Sequence, residues 1–224
     1  MKAWHVFAAT VARDLRIELR TREALNAMFF YALLVIVIFS FAFSAQASLT
    51  VRVGGGLLWV AFLFAGLVVL DRAFLREAAE GSLSGLQLSP ASRSAILGGK
   101  FVASFLLMLG MEAILVPLFA VLFNAPHNTH WASLAAVTAL GTWALAANGT
   151  YFAAMSTHAR QRALLLPLLL LPISIPAIIA MVQATQSCLA GEGKIGYWMQ
   201  FLLAYDLIFS ALGWLLADVV LDVE

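Results

Sequence analysis

The sequence predicts an all-α membrane protein: six transmembrane helices, an N-terminal interfacial amphipathic helix, and a short cytoplasmic helix between spans 2 and 3. Three observations carry that prediction. Of 224 residues, 63% are apolar and 11% charged, against roughly 45–50% and about 25% in soluble domains. A globule of this size has too little interior to hide so much hydrocarbon, so the solvent must be lipid. Six stretches approach the roughly 20 apolar residues that a helix needs to cross a bilayer. Lys and Arg fall almost wholly on one side of those stretches, as cytoplasmic segments require. A soluble enzyme, a nucleic-acid reader and a disulfide scaffold are thereby excluded. The net charge of +1 offers polyanions no field, and the single Cys188 has no intrachain partner.

The first 25 residues form a leader with a helical stripe of Trp4, Phe7, Ala8, Val11, Leu15 and Leu19, spaced at three and four. Arg13, Arg16 and Arg20 share the other side, interleaved with Asp14 and Glu18. Such a helix lies in the interface, stripe toward acyl chains and arginines toward head groups, or else packs against its own protein. The spans follow at Met28–Ala45, Val53–Leu70, Phe101–Phe123, Trp131–Met155, Ala163–Gln183 and Tyr197–Ala217. Ala45-Gln-Ala47 after span 1 mimics a signal-peptide cleavage site, but the leader is too long and too acidic for one. No Asp, Glu, Lys or Arg occurs between Glu112 and Arg160; the run is divided at Asn124–His130, where Pro126 and the asparagines favour a turn. Asn148-Gly-Thr150 matches a glycosylation acceptor but sits inside span 4, out of reach of glycosyl transfer.

Eleven of the 13 Lys and Arg residues fall in the leader and in the connections between spans 2 and 3 and spans 4 and 5. Only Arg52 and Lys194 lie opposite. Both termini are therefore expected in the cytoplasm. The connection Asp71–Lys100 is the one long hydrophilic segment after the leader. Its first part, Asp71–Glu80, is helix-prone and extends span 2, and Gly81 breaks it. Ser82–Leu88 places Leu83 and Leu86 on one side of a short helix, and Ser89-Pro90 opens a new helix into span 3. A short helix with apolar teeth suits docking into a groove on a cytoplasmic partner; an ordinary structured loop is the alternative.

No catalytic or metal-ligating constellation appears. His5, His127, His130 and His158 have no ligand spacing, although His127-Asn-Thr-His130 on the outer side is placed where it could meet a haem or metal. Gly98-Gly-Lys100 superficially matches a phosphate loop but lacks its first glycine and its Ser/Thr. No span carries the Gly-x-Ser-Gly and histidine of an intramembrane serine protease. Glu112 and Asp206 are charges within spans, costly in lipid, so each faces protein or water. Glu112 is the stronger candidate for an intramembrane functional residue; a structural polar contact is the alternative. Pro167, Pro172 and Pro176 predict a kink in span 5, and Gly54-Gly-Gly56 a close helix approach.

These residues resemble a known family. Gly56-Leu-Leu-Trp-Val60, Asp71-Arg-Ala-Phe-Leu-Arg76, Glu80-Gly-Ser-Leu83, Leu88-Ser-Pro90 and Leu168-Leu-Leu-Leu-Pro-Ile-Ser-Ile-Pro176 are similar to the heme exporter protein B family, the ABC-2-type permease subunits of the cytochrome c maturation system. The likeness runs end to end. It implies one ABC-2-type transmembrane domain over residues 1–224, paired with a second copy of itself and with cytoplasmic ABC ATPase subunits that carry the ATP. It also implies haem-handling membrane subunits, a periplasmic haem chaperone and location in the bacterial inner membrane, with ATP hydrolysis driving either export of haem as cargo or release of the haem-loaded chaperone. By the same resemblance Glu77, Glu80, Gly81, Leu83 and Leu86 belong to the coupling helix that contacts the ATPase. Ser84 departs from the family pattern, in which a glutamate follows the Gly-Ser-Leu element. An ABC-2 permease for a lipid, glycan or drug is the competing reading.

Overall fold

The computed structural model describes residues 3–43, 47–79, 93–156, 162–191 and 193–220, and these form seven α-helices. They are α1 (Ala3–Thr21), α2 (Glu23–Ala42), α3 (Ala47–Ala79), α4 (Arg93–Leu122), α5 (Trp131–Ser156), α6 (Arg162–Ala190) and α7 (Ile195–Val220). Five of them, α2, α3, α4, α6 and α7, are long and apolar enough to cross a membrane. The helix α5 is as long as α7 but carries more Ala, Gly, Thr and Asn, and fifteen of its 26 residues are buried. It lies against α3, α4, α6 and α7.

Inside a bilayer apolar area does not drive helices together, so close backbone approach and hydrogen bonds must. The core around α5 shows both. A Cβ at Gly141 would occupy the place of the Trp59 indole of α3. The buried indole in turn donates Nε1–H to Thr185 Oγ1 of α6 at 2.9 Å. Trp143 donates to Ser210 Oγ of α7 at 3.0 Å and meets Phe101 of α4 edge-on at 4.9 Å. The expected close approach at Gly54–Gly56 is present at Gly55, whose missing Cβ leaves room for the Val182 carbonyl of α6.

The two ends of the bundle are tied by different contacts. At one end Arg72 of α3 pairs with Glu23 of α2 at 3.0 Å. At the other, Ser40 donates to the Leu122 carbonyl at 3.0 Å, Asn128 to the Ala190 carbonyl at 2.6 Å, and Gln186 to the Arg52 carbonyl at 2.8 Å. The turn expected at Asn124–His130 is where α4 gives way to α5, with Asn124 in the left-handed region at φ 46°. Asp71–Ala79 continues α3 as expected, and Arg93–Lys100 is already part of α4.

The leader packs one face on its own bundle. Arg22 alone, at φ 56°, separates α1 from α2. The face of α1 turned to its own bundle is the one bearing Thr10, Asp14 and Glu18, not the centre of the apolar stripe; Trp4 and Leu19 stay exposed at 70% and 58%. Gly98-Gly-Lys100, the phosphate-loop lookalike, is the helical seat for that face. A Cβ at Gly99 would collide with Thr10, and Lys100 Nζ, 2% exposed, meets Asp14 Oδ2 at 3.3 Å. Glu18 Oε1 accepts the backbone N–H groups of Ala24 and Leu25 at 2.7 and 3.1 Å. Those are orphan donors of the first turn of α2, and a carboxylate there also complements the helix dipole. Glu18→Ala is expected to cost about 1.5–3 kcal/mol, the range for hydrogen bonds to a charged group. Thermal unfolding of the detergent-purified protein measures it, and tryptic cleavage after Arg20 and Arg22 should accelerate in parallel.

Candidate functional site

Glu112 sits nineteen residues into α4 and is fully buried. Thr142, one helix away on α5, donates its hydroxyl to Glu112 Oε2 while also lying 2.7 Å from the Thr138 carbonyl. Glu112 Oε1 has no hydrogen-bond partner among the described residues. A cavity of about 250 Å³ opens beside it between α4 and α5, lined by Leu109, Ala113, Val116, Pro117, Trp131, Leu134, Ala135 and Thr138 as well as Glu112. Thr138 is internally satisfied, its hydroxyl donating to the Leu134 carbonyl at 2.8 Å. The unpaired oxygen of Glu112 is thus the conspicuous polar atom of an otherwise hydrocarbon-lined space.

The α4 backbone helps to shape that space. Pro117 lies inside the helix and removes the N–H that the Ala113 carbonyl, one turn earlier, would accept. Ala113 and Ala135, both exposed, line that space at the side of the bundle. Trp131, 48% exposed, stands at the start of α5, an amphipathic ring of the sort that gathers at membrane–water boundaries. Tyr197, 58% exposed near the start of α7, has the same character.

Asp206 is elsewhere. It is 6% exposed on α7, and neither carboxylate oxygen has a hydrogen-bond partner among the described residues. Its neighbour Tyr205 joins three helices, accepting from Asn148 Nδ2 of α5 at 2.7 Å and donating to the Ile173 carbonyl of α6 at 2.9 Å. Ile173 lies between Pro172 and Pro176 in the sequence of α6, so the tyrosine docks on the proline-rich stretch. All three prolines lie within the continuous helix α6. The structure keeps Glu112 and Asp206 in separate surroundings, one beside a cavity and one behind a tyrosine bridge.

His130 ties the start of α5 to the end of α6. His130 Nε2 lies 3.0 Å from the Gly191 carbonyl, and its backbone N–H donates to the Cys188 carbonyl at 3.0 Å, while His127 is exposed. Among the described residues no three His, Cys, Asp or Glu side chains group as metal ligands. Of the residues assigned to coupling, Glu77 falls on α3 with its side chain outside the described residues. Glu80, Gly81, Leu83 and Leu86 lie wholly outside them. The partners Thr142, Asn148 and Tyr205 escaped sequence reading, since nothing in local spacing links them to Glu112 or to the proline-rich helix.

Residues 5–218 match the family described as CcmB protein. The chain belongs to that family. Its similarity to curated members is broad: it is 30% identical over 207 residues to "Heme exporter protein B" of Bradyrhizobium diazoefficiens, covering 92% of each chain. It is 32% identical over 210 residues to the protein of the same name from Pseudomonas aeruginosa, covering 92% of this chain and 93% of that one. The Rhodobacter capsulatus protein of that name is 34% identical over 173 residues, 76% of this chain and 78% of its own. The family span thus takes in the leader helix and every membrane-length helix, together with Glu112 and Asp206. The resemblance drawn from the motif stretches is borne out.

Proposed function

We propose that this chain is the membrane permease subunit of an ABC transporter complex acting in cytochrome c maturation. ATP hydrolysis on a separate chain then drives haem export or release of a haem-loaded periplasmic chaperone. The observation that carries the proposal is the family match across residues 5–218, joined to relatives named heme exporter protein B. In this reading α5 is a sixth crossing packed among α3, α4, α6 and α7, and the one-sided distribution of Lys and Arg supports cytoplasmic termini. The leader is an interfacial helix: one face rests on α4, and exposed Trp4 and Leu19 offer an apolar shoulder next to Arg16 and Arg20. The segment from Glu77 through Glu80, Gly81, Leu83 and Leu86 docks the ATPase. A second copy, haem-handling membrane subunits and the periplasmic chaperone complete the assembly, and Glu112 is the functional carboxylate of the membrane part.

The test is a chromosomal deletion followed by haem staining of membrane and periplasmic proteins on a denaturing gel. Covalently bound haem should disappear and return with the plasmid-borne gene. An unchanged stain would overturn the assignment to cytochrome c maturation. Complementation with Glu112→Gln, present in the membrane at the wild-type level, should restore several-fold less stain than the wild type.

A further inference from the structure

We infer that the cavity between α4 and α5 is a binding site for an amphiphile with an apolar body and one hydrogen-bond donor, a primary ammonium or a hydroxyl, received by Glu112 Oε1. The inference rests on the reading of Glu112 as a functional residue and adds the chemical class of what it binds.

A carboxylate inside a bilayer persists only where something compensates it. Thr142 serves one oxygen of Glu112 and leaves the other, fully buried, beside a cavity of about 250 Å³. That volume equals about eight water molecules at liquid density, but the walls offer water few partners. They are aliphatic or aromatic apart from Thr138, whose hydroxyl is already committed to the Leu134 carbonyl. An ordered water needs two to four polar partners, so a single free oxygen in a hydrocarbon wall suits a ligand that brings one donor and fills the rest with carbon.

Position narrows the class further. Glu112 is ten residues before the end of α4 at Leu122, about 15 Å along the helix, which puts it below head-group depth. A bulky zwitterionic head does not fit there, whereas a small head on a short chain does. The groove meets the side of the bundle at Ala113 and Ala135, which are exposed, while Glu112 lies buried at its inner wall. An ammonium donor also cancels the carboxylate charge and makes the stronger hydrogen bond, so amines are expected to bind ahead of alcohols.

The experiment uses the full-length protein with its co-purifying subunits in phosphatidylcholine nanodiscs. Three photoreactive diazirine probes of equal chain length are compared: a ten-carbon primary amine, the matching alcohol and the matching alkane. Adducts are mapped by mass spectrometry. The amine is expected to label peptides carrying Leu109, Val116 and Leu134 at least tenfold above the alkane, with the alcohol between them, and unlabelled decylamine should compete. Glu112→Leu should bring amine labelling down to the alkane level. Ala135→Trp, which fills the groove and keeps the carboxylate, should do the same and stands in if Glu112→Leu does not fold.

Equal labelling by all three probes, or amine labelling that survives both substitutions, would overturn the proposal. So would efficient cross-linking between copies through Ala113→Cys and Ala135→Cys in a Cys188→Ala background, since a second copy would then occupy the groove. The readout is binding alone. A chain that fails the haem-stain test can still label at Glu112, and one that passes it can fail to label, so the two readings fail separately.

Discussion

Leu83→Asp, or Leu86→Asp, is expected to abolish recovery of the ATPase with the tagged permease while leaving the permease inserted in the membrane. Both leucines fall on one side of the short helix read between Gly81 and Ser89, and neither contributes to a span. In the docked complex they would enter an apolar groove of the partner, where an aspartate is a buried charge without a counterion. Such a charge costs about 3–5 kcal/mol, two to three and a half orders of magnitude in Kd at about 1.4 kcal/mol per tenfold. Affinity purification from solubilised membranes, quantified against the permease, reads the loss directly. Leu83→Met should retain the ATPase, since it preserves apolar volume. Normal recovery of the ATPase with both aspartate variants would remove the docking role from this segment.

The second large effect is expected at Gly141. Its missing Cβ is the space in which the Trp59 indole lies, and that indole holds α3 to α6 through Thr185. Gly141→Leu must expel the ring, so the hydrogen bond and the packing of three helices are lost together. Overpacking alone costs about 1–3 kcal/mol, and the lost interhelical bond adds about 0.6–2 kcal/mol. Thermal aggregation followed by size-exclusion chromatography should show a marked fall in midpoint temperature. Trp59→Leu in the same chain should recover part of it, because the smaller side chain returns the volume; failure of the pair to couple would mean that the two residues do not share that space.

Much of the architecture was legible because its signals are local. Pro126 with the flanking asparagines marks the α4–α5 turn, and the helix-forming run after Asp71 does carry α3 past the end of its apolar stretch. The central place of α5 was less legible. Ala, Gly and Thr lower its apolarity, and in sequence that reads as a weaker span rather than as a more enclosed one. The leader was legible only in part. A period of 3.6 identifies the apolar stripe, but α1 has two neighbours, its own bundle and the surrounding medium, and the bundle takes Thr10, Asp14 and Glu18 together with the Phe7 edge of that stripe. Glu112 was visible as a costly charge. Its partner Thr142 lies thirty residues further on another helix, and that pairing follows from helix packing, which leaves no periodic trace.

The contact between Asp14 and Lys100 also has a bearing on biogenesis. The two residues are 86 positions apart in the chain, with α2 and α3 made in between. At about 5–20 residues per second of synthesis, the leader exists for roughly 4–17 s before its seat on α4 leaves the ribosome. During that interval Glu18 can already cap α2, since Ala24 and Leu25 follow within a few residues, so the leader is held at the first span while Asp14 has only its neighbour Arg13 as partner. The contact between leader and α4 can therefore form only after the third membrane-length helix has been made, which makes it a late contact of an early segment.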